Sequence, residues 1–80
     1  MIVKEFTLKK GLEVIENVAA IRIKSKEYNL LILKDYFPLI GEIDGDLEIE
    51  LNDGNKLFHK YIKAYYVIEN NVFSLLIEGV

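Results

Sequence analysis

From Leu47 to Leu51 the chain alternates Leu, Glu, Ile, Glu, Leu, so an extended backbone sends Leu47, Ile49 and Leu51 to one face and Glu48 and Glu50 to the other. Ile21 and Ile23, separated by Arg22 and followed by Lys24, repeat the period of two. The apolar stretches are short, rich in Ile, Val, Tyr and Phe, and often bounded by Gly, Asn or Asp, which is the vocabulary of strands. The pattern predicts strands at about Ile2–Leu8, Leu12–Glu16, Val18–Lys24, Tyr28–Leu33, Leu39–Ile43, Asp46–Leu51, Asn55–Tyr61, Tyr65–Glu69 and Val72–Ile77. So many short strands cannot lie in one flat sheet and bury both faces. The expected fold is therefore all-β, a two-sheet sandwich of about nine or ten short, mostly antiparallel strands. A helix from Val14 or Ile15 to Ile23, seeded by Val18, Ala19 and Ala20, is the competing reading, and the alternation from Ile21 to Lys24 weighs against it.

Two hairpins follow from turn chemistry. Asn52-Asp53-Gly54, as a type I turn with Gly54 left-handed, sets Leu51 against Asn55, Glu50 against Lys56, Ile49 against Leu57, Glu48 against Phe58 and Asp46 against Lys60. A two-residue Asp53-Gly54 turn would set Glu50 against Leu57 and lose the matches of charge and oil. The second hairpin turns at Asn70-Asn71, since asparagine tolerates positive φ, and pairs Ile68 with Phe73 and Tyr66 with Leu75.

Composition narrows the chemistry. Ten Lys and Arg against thirteen Asp and Glu leave a net charge of −3, which offers nucleic acid no electrostatic footing. The absence of cysteine removes disulfides, thiolate metal sites and a cysteine nucleophile. The longest apolar run, Ala64 to Ile68, is far below the ~20 residues of a membrane span. Lys4 and Glu5 interrupt any leader-like apolar segment, and no linker or repeat divides residues 1–80, so one cytoplasmic domain is expected.

Candidate catalytic groups are sparse. His59 is the only histidine, and the hairpin register places it opposite Leu47 on a half-buried strand position. Asp44-Gly45-Asp46 resembles a calcium loop only superficially, because the glycine falls between the acids, and it reads as a turn. Glu48 and Glu50 share a face but read as a solvated pair rather than an acid and base. Ser25 and Ser74 lie in no nucleophile elbow, and no glycine-rich phosphate loop exists. No catalytic residue, cofactor or metal is expected. The irregular segment is Lys34-Asp35-Tyr36-Phe37-Pro38, which displays two aromatics on a connection. Phe37 plugs the end of the fold in one reading, and Tyr36 centres a protein-contact patch in the other.

Asn29-Leu30-Leu31-Ile32-Leu33-Lys34-Asp35-Tyr36-Phe37-Pro38-Leu39-Ile40 resembles the signature E-L-G-I-L-P-G-H-x-P-L of the epsilon subunit of F-type ATP synthases, with the proline and leucines in register. Val18–Lys24 is similar to the family's preceding strand. Tyr61, Val67, Glu69, Asn71, Val72 and Leu75 are similar to its closing segment. Tyr28, Leu31, Asp35, Tyr65 and Tyr66 stand where the family has glycines, and Tyr36 replaces its histidine. The resemblance implies a β-sandwich of the central stalk, a non-catalytic part that couples c-ring rotation to the catalytic head. The family usually continues into a helical hairpin, whereas this sequence ends at Val80. It implies contacts to the c-ring and the gamma subunit, no direct membrane insertion, and a peripheral place at the membrane. Carried over by position, the c-ring contact falls on Glu27, Tyr28, Asn29, Lys34, Asp35 and Tyr36, in two loops expected at one end of the sandwich. Tyr65 and Tyr66, with Tyr28 and Tyr36, are expected as exposed interface tyrosines. They also favour the alternative of a free-standing, homodimeric interaction module.

Overall fold

The computed structural model describes residues 1–78. It contains seven strands: β1 (Ile2–Thr7), β2 (Gly11–Ile15), β3 (Val18–Ser25), β4 (Asn29–Leu33), β5 (Leu39–Leu51), β6 (Lys56–Glu69) and β7 (Val72–Glu78). They hydrogen-bond into one mixed sheet in the order β2-β1-β7-β6-β5-β3-β4, in which only β1 and β7 run parallel. The all-β reading holds, and the nine strands in two sheets are corrected to seven in one. The strands expected at 39–43 and 46–51 are the single β5, and those expected at 55–61 and 65–69 are the single β6.

Gly45 explains the first merger. The Asp44-Gly45-Asp46 segment was expected to turn, but it stays within β5, and a Cβ at Gly45 would collide with the carbonyl oxygen of Lys24. Lacking that atom, β5 passes close to β3 and continues. Opposite this point β6 carries one extra residue, for Gly45 pairs with Ile62 while Leu47 pairs with His59. This is a β-bulge. Tyr61 within it takes a φ of 58°, and its N–H donates to Asp46 Oδ1 at 3.0 Å. Asp46 therefore anchors the bulge instead of pairing with Lys60. The inserted residue also inverts the phase of β6, so that His59 and Leu57 share the inward side of Leu47 and Ile49, whereas beyond it Ala64, Tyr66 and Ile68 point inward.

The sheet folds over at the bulge. A flat sheet is one layer deep and layers pack ~10 Å apart, yet the Cα extents are 28 × 28 × 22 Å. The first half of β6 reaches β1, which β7 separates from it in the sheet order: His59 Nε2 lies 2.6 Å from Glu5 Oε1. Between the folded halves Val3, Ile21, Ile32, Ile43, Ile49 and Phe73 are fully excluded from solvent.

The hairpin registers hold except at Asp46 and Lys60, where the bulge intervenes. Glu50 pairs with Lys56, Ile49 with Leu57 and Glu48 with Phe58, Gly54 takes a φ of 91°, and the Leu51 N–H donates to the Asn55 carbonyl at 2.8 Å. Asn70 and Asn71 take φ of 51° and 62°, and Ile68 pairs with Phe73 and Tyr66 with Leu75. Where a helix competed, the chain turns at Asn17 (φ 58°) and enters β3 as a strand.

Candidate protein-contact surface

The outward side of the sheet divides at the bulge. Inward-facing Val3, Glu5 and Thr7 turn Phe6 of β1 outward. The registers align Phe6 with Leu12 on β2 and Leu76 on β7, and Leu76 with Tyr65 on β6. Two positions along β6, Val67 faces Ile40 on β5. These six side chains are each 40–78% exposed and border a shallow groove of about 430 Å³. At roughly 150–250 Å² for a whole large side chain, they leave on the order of 600 Å² of apolar surface, the upper end of what monomers expose and a mark of protein contact.

Beyond the bulge the outward side is mixed, with the charged pair Arg22 and Glu48 flanked in register by exposed Leu31 and Phe58. Arg22 Nη1 donates to Glu48 Oε2 and to Glu50 Oε1, at 2.7 Å in each case. These hydrogen bonds raise the Arg22 pKa and hold the Glu50 carboxyl below the usual carboxylate range. Glu48 and Glu50 are thus committed to Arg22, an arrangement of surface ion pairs.

The predicted interface residues separate into different environments. Tyr65 is exposed on the apolar side. Tyr66, expected to be exposed, lies in the core with its ring stacked on Phe73 at 5.1 Å and over Gly41, where a Cβ would overlap it. Burial, with a smaller part from the hydroxyl of Tyr28, pushes the Tyr66 pKa well above the ordinary tyrosine value. Tyr28 is half-buried, its hydroxyl 3.0 Å from that of Tyr66 and donating to the Glu42 carbonyl at 2.6 Å. Within the irregular segment the roles are exchanged. Tyr36 packs against the core, whereas Phe37 stands 63% exposed, stacked on Tyr36 at 4.5 Å.

Glu27, Asn29, Lys34 and Asp35 are exposed, but the loops that hold them do not share an end. β4 separates Glu27–Asn29 from Lys34–Tyr36, so they flank its opposite ends. The first lies at the Gly45 corner, where the Lys26 N–H donates to the Asp44 carbonyl at 3.0 Å. The second is tied to the β6–β7 turn: the Asp35 N–H donates to Asn71 Oδ1 at 2.6 Å, and Asn71 Nδ2 donates to Asp35 Oδ1 at 2.9 Å. Between them lies a groove of about 720 Å³ lined by Tyr28, Leu30, Tyr36, Leu39, Glu42 and Tyr66, among others.

The outward residues Phe6, Leu12, Ile40, Val67 and Leu76 were not anticipated. For Val67 and Leu76 the signal is the unbroken apolar runs Ala64–Ile68 and Leu75–Ile77, which a strand distributes to both faces. No helix among the described residues is long and apolar enough to cross a membrane, and no cluster of three or more metal-ligating side chains occurs among them.

No protein-family model matches the sequence, and no curated protein matches it. Among solved structures, the fold is similar to a chain in the central stalk and c-ring structure of the Tetrahymena thermophila mitochondrial ATP synthase, with a TM-score of 0.76 and 18% identity over 99% of this chain. This chain spans 63% of the length of that one.

Proposed function

We propose that the chain is the sandwich-like part of a non-catalytic, epsilon-type subunit in the central stalk of a proton-translocating ATP synthase, coupling c-ring rotation to the catalytic head. The observation that carries this reading is the likeness of fold, over 99% of the chain, to a chain in a central stalk and c-ring structure. The signature-like segment Asn29–Ile40 supports it independently. The apolar outward side is the surface for the gamma subunit, since it is a large apolar patch whose burial would drive association. The c-ring contact is assigned to Glu27–Asn29. Glu27 has no ion-pair partner among the described residues, whereas Asp35 is bound to Asn71 and lies at the far end of β4. A closely packed block carries torque because such interiors deform little. The protein then sits at the membrane periphery without inserting.

The test is co-purification with gamma and the c-ring. Leu76→Glu is expected to reduce recovery of gamma and Glu27→Lys that of the c-ring, each with stability within about 0.5 kcal/mol of wild type. Recovery of both partners at wild-type levels with both variants would remove the assignment. The apolar side would also accommodate a second copy, so a stable homodimer in dilute solution by light scattering would favour the free-standing module instead.

A further inference from the structure

The first half of β5 is paired on one side only. Leu39–Ile43 has β6 on one side alone, whereas Asp44 is already held on the other, its N–H by Ser25 Oγ at 2.9 Å and its carbonyl by the Lys26 N–H; β3 pairs with β5 from Gly45 onward, and β4, at the end of the sheet, pairs with β3 alone. Two free strand edges therefore border the groove of about 720 Å³. The Tyr28 hydroxyl, donating to the Glu42 carbonyl at 2.6 Å, marks that carbonyl as directed out of the sheet. Alternation along an antiparallel strand then turns the N–H and C=O of Ile40 the same way. A free edge of this kind is a template for another strand.

The groove also has a chemical polarity. Its floor is apolar, with Leu30, Leu39 and Tyr36 half-buried and packed against the core. Its rim carries the carboxylates of Glu27, Glu42 and Asp44 against one ammonium, Lys26, which lies 3.4 Å from Asp44. Glu42 has no ion-pair partner among the described residues.

We propose that this groove binds an extended peptide of about five residues, alternating apolar and basic, which adds itself as a strand to the Leu39–Ile43 edge. In that position its residues beside Ile40 and Glu42 point outward and those beside Gly41 point inward. Lysine or arginine side chains then meet Glu42, and apolar ones enter against Leu30, Leu39 and Tyr36. A peptide N–H replaces the Tyr28 hydroxyl at the Glu42 carbonyl, so Tyr28 acts as an internal competitor for the edge. This assignment rests on the free edges and the charge of the groove and not on the stalk reading, although the groove shares Glu27 and Ile40 with the surfaces assigned there.

The experiment titrates the isotope-labelled protein with acetyl-Lys-Val-Lys-Val-Lys-amide and follows backbone amide shifts. Shifts are expected at Leu30, Ile40, Gly41 and Glu42, with slowed hydrogen exchange at Ile40. The basic peptide should bind at least about tenfold more tightly than its Glu-Val-Glu-Val-Glu counterpart, and Glu42→Lys should weaken it by a similar factor. Tyr28→Phe keeps the ring and removes the competing hydroxyl, so it should strengthen binding about twofold to fivefold. Shifts confined to Phe6, Tyr65 and Leu76, equal affinity for the two peptides, an unaffected Glu42→Lys variant, or weaker binding by Tyr28→Phe would each overturn the proposal.

Discussion

His59 and Glu5 are 54 positions apart in the chain, and their side chains meet at 2.6 Å between the two folded halves of the sheet. Glu5 is buried, and this hydrogen bond is what raises the His59 pKa, against the opposing effect of desolvation. Glu13 adds to the increase and Lys10 opposes it. A histidine with a raised folded-state pKa contributes stability that is fully present below its ordinary value of 6.5 and is lost as pH rises through the raised value. The urea midpoint of the wild type should therefore fall as pH climbs from about 6 into the alkaline side of that window, while that of His59→Gln stays flat there. His59→Ala leaves a buried carboxylate without its partner, with an expected cost of about 3 kcal/mol. A wild-type midpoint insensitive to pH over that window would contradict the clasp.

Gly41 and Tyr66 face one another across β5 and β6, and a Cβ on Gly41 would overlap the tyrosine ring. The ring cannot swing aside, because it is buried and stacked on Phe73. Gly41→Ala should destabilise by about 1–3 kcal/mol through overpacking. Combining it with Tyr66→Ala should recover part of the Gly41→Ala cost relative to Tyr66→Ala alone. Thermal unfolding of the four proteins in the cycle measures that coupling.

Asp46 anchors the Tyr61 amide within the bulge that folds the sheet. Removing the acceptor by Asp46→Ala should cost about 1 kcal/mol. The loss should appear as faster amide exchange at Tyr61 and Ile62, ahead of any change at the β6–β7 turn. Uniform acceleration across the chain would instead place the bulge within the global unfolding unit.

Glu50 tests the charged cluster on the outward side. Its carboxyl is held low chiefly by the hydrogen bond from Arg22, so any stability it contributes is present above the ordinary carboxylate pKa and is lost as pH falls through the lowered value. In an NMR titration, Arg22→Gln should move the Glu50 midpoint upward toward the model-peptide value. An unmoved midpoint would mean that the contact is not populated in solution.

The strand character of the chain was legible because backbone alternation needs only local information. Ile21, Ile23, Leu47 and Ile49 repeat every second residue and all are buried, and the glycine and asparagine turns set both hairpin registers within a few residues of each other. The interface tyrosines were harder to place. Tyr65 and Tyr66 are neighbours of like chemistry, and only the phase of the strand decides that one is exposed and the other sits over Gly41. That phase depends on the bulge at Lys60 and Tyr61, which no local propensity announces, because Tyr61 adopts a positive φ that tyrosine seldom takes.

The sequence alone therefore determined that the chain is made of strands, where its tight turns fall, and which residues oppose one another beside those turns. Tertiary structure decided that two pairs of expected strands are continuous, that Glu5 is inside while Phe6 is outside, and that the two candidate loops occupy opposite ends of β4. The difference lies in the range of the forces. Alternation and turn geometry act between near neighbours, whereas the contacts of Gly45 with Lys24 and of Glu5 with His59 join distant segments and exist only once the sheet has folded over.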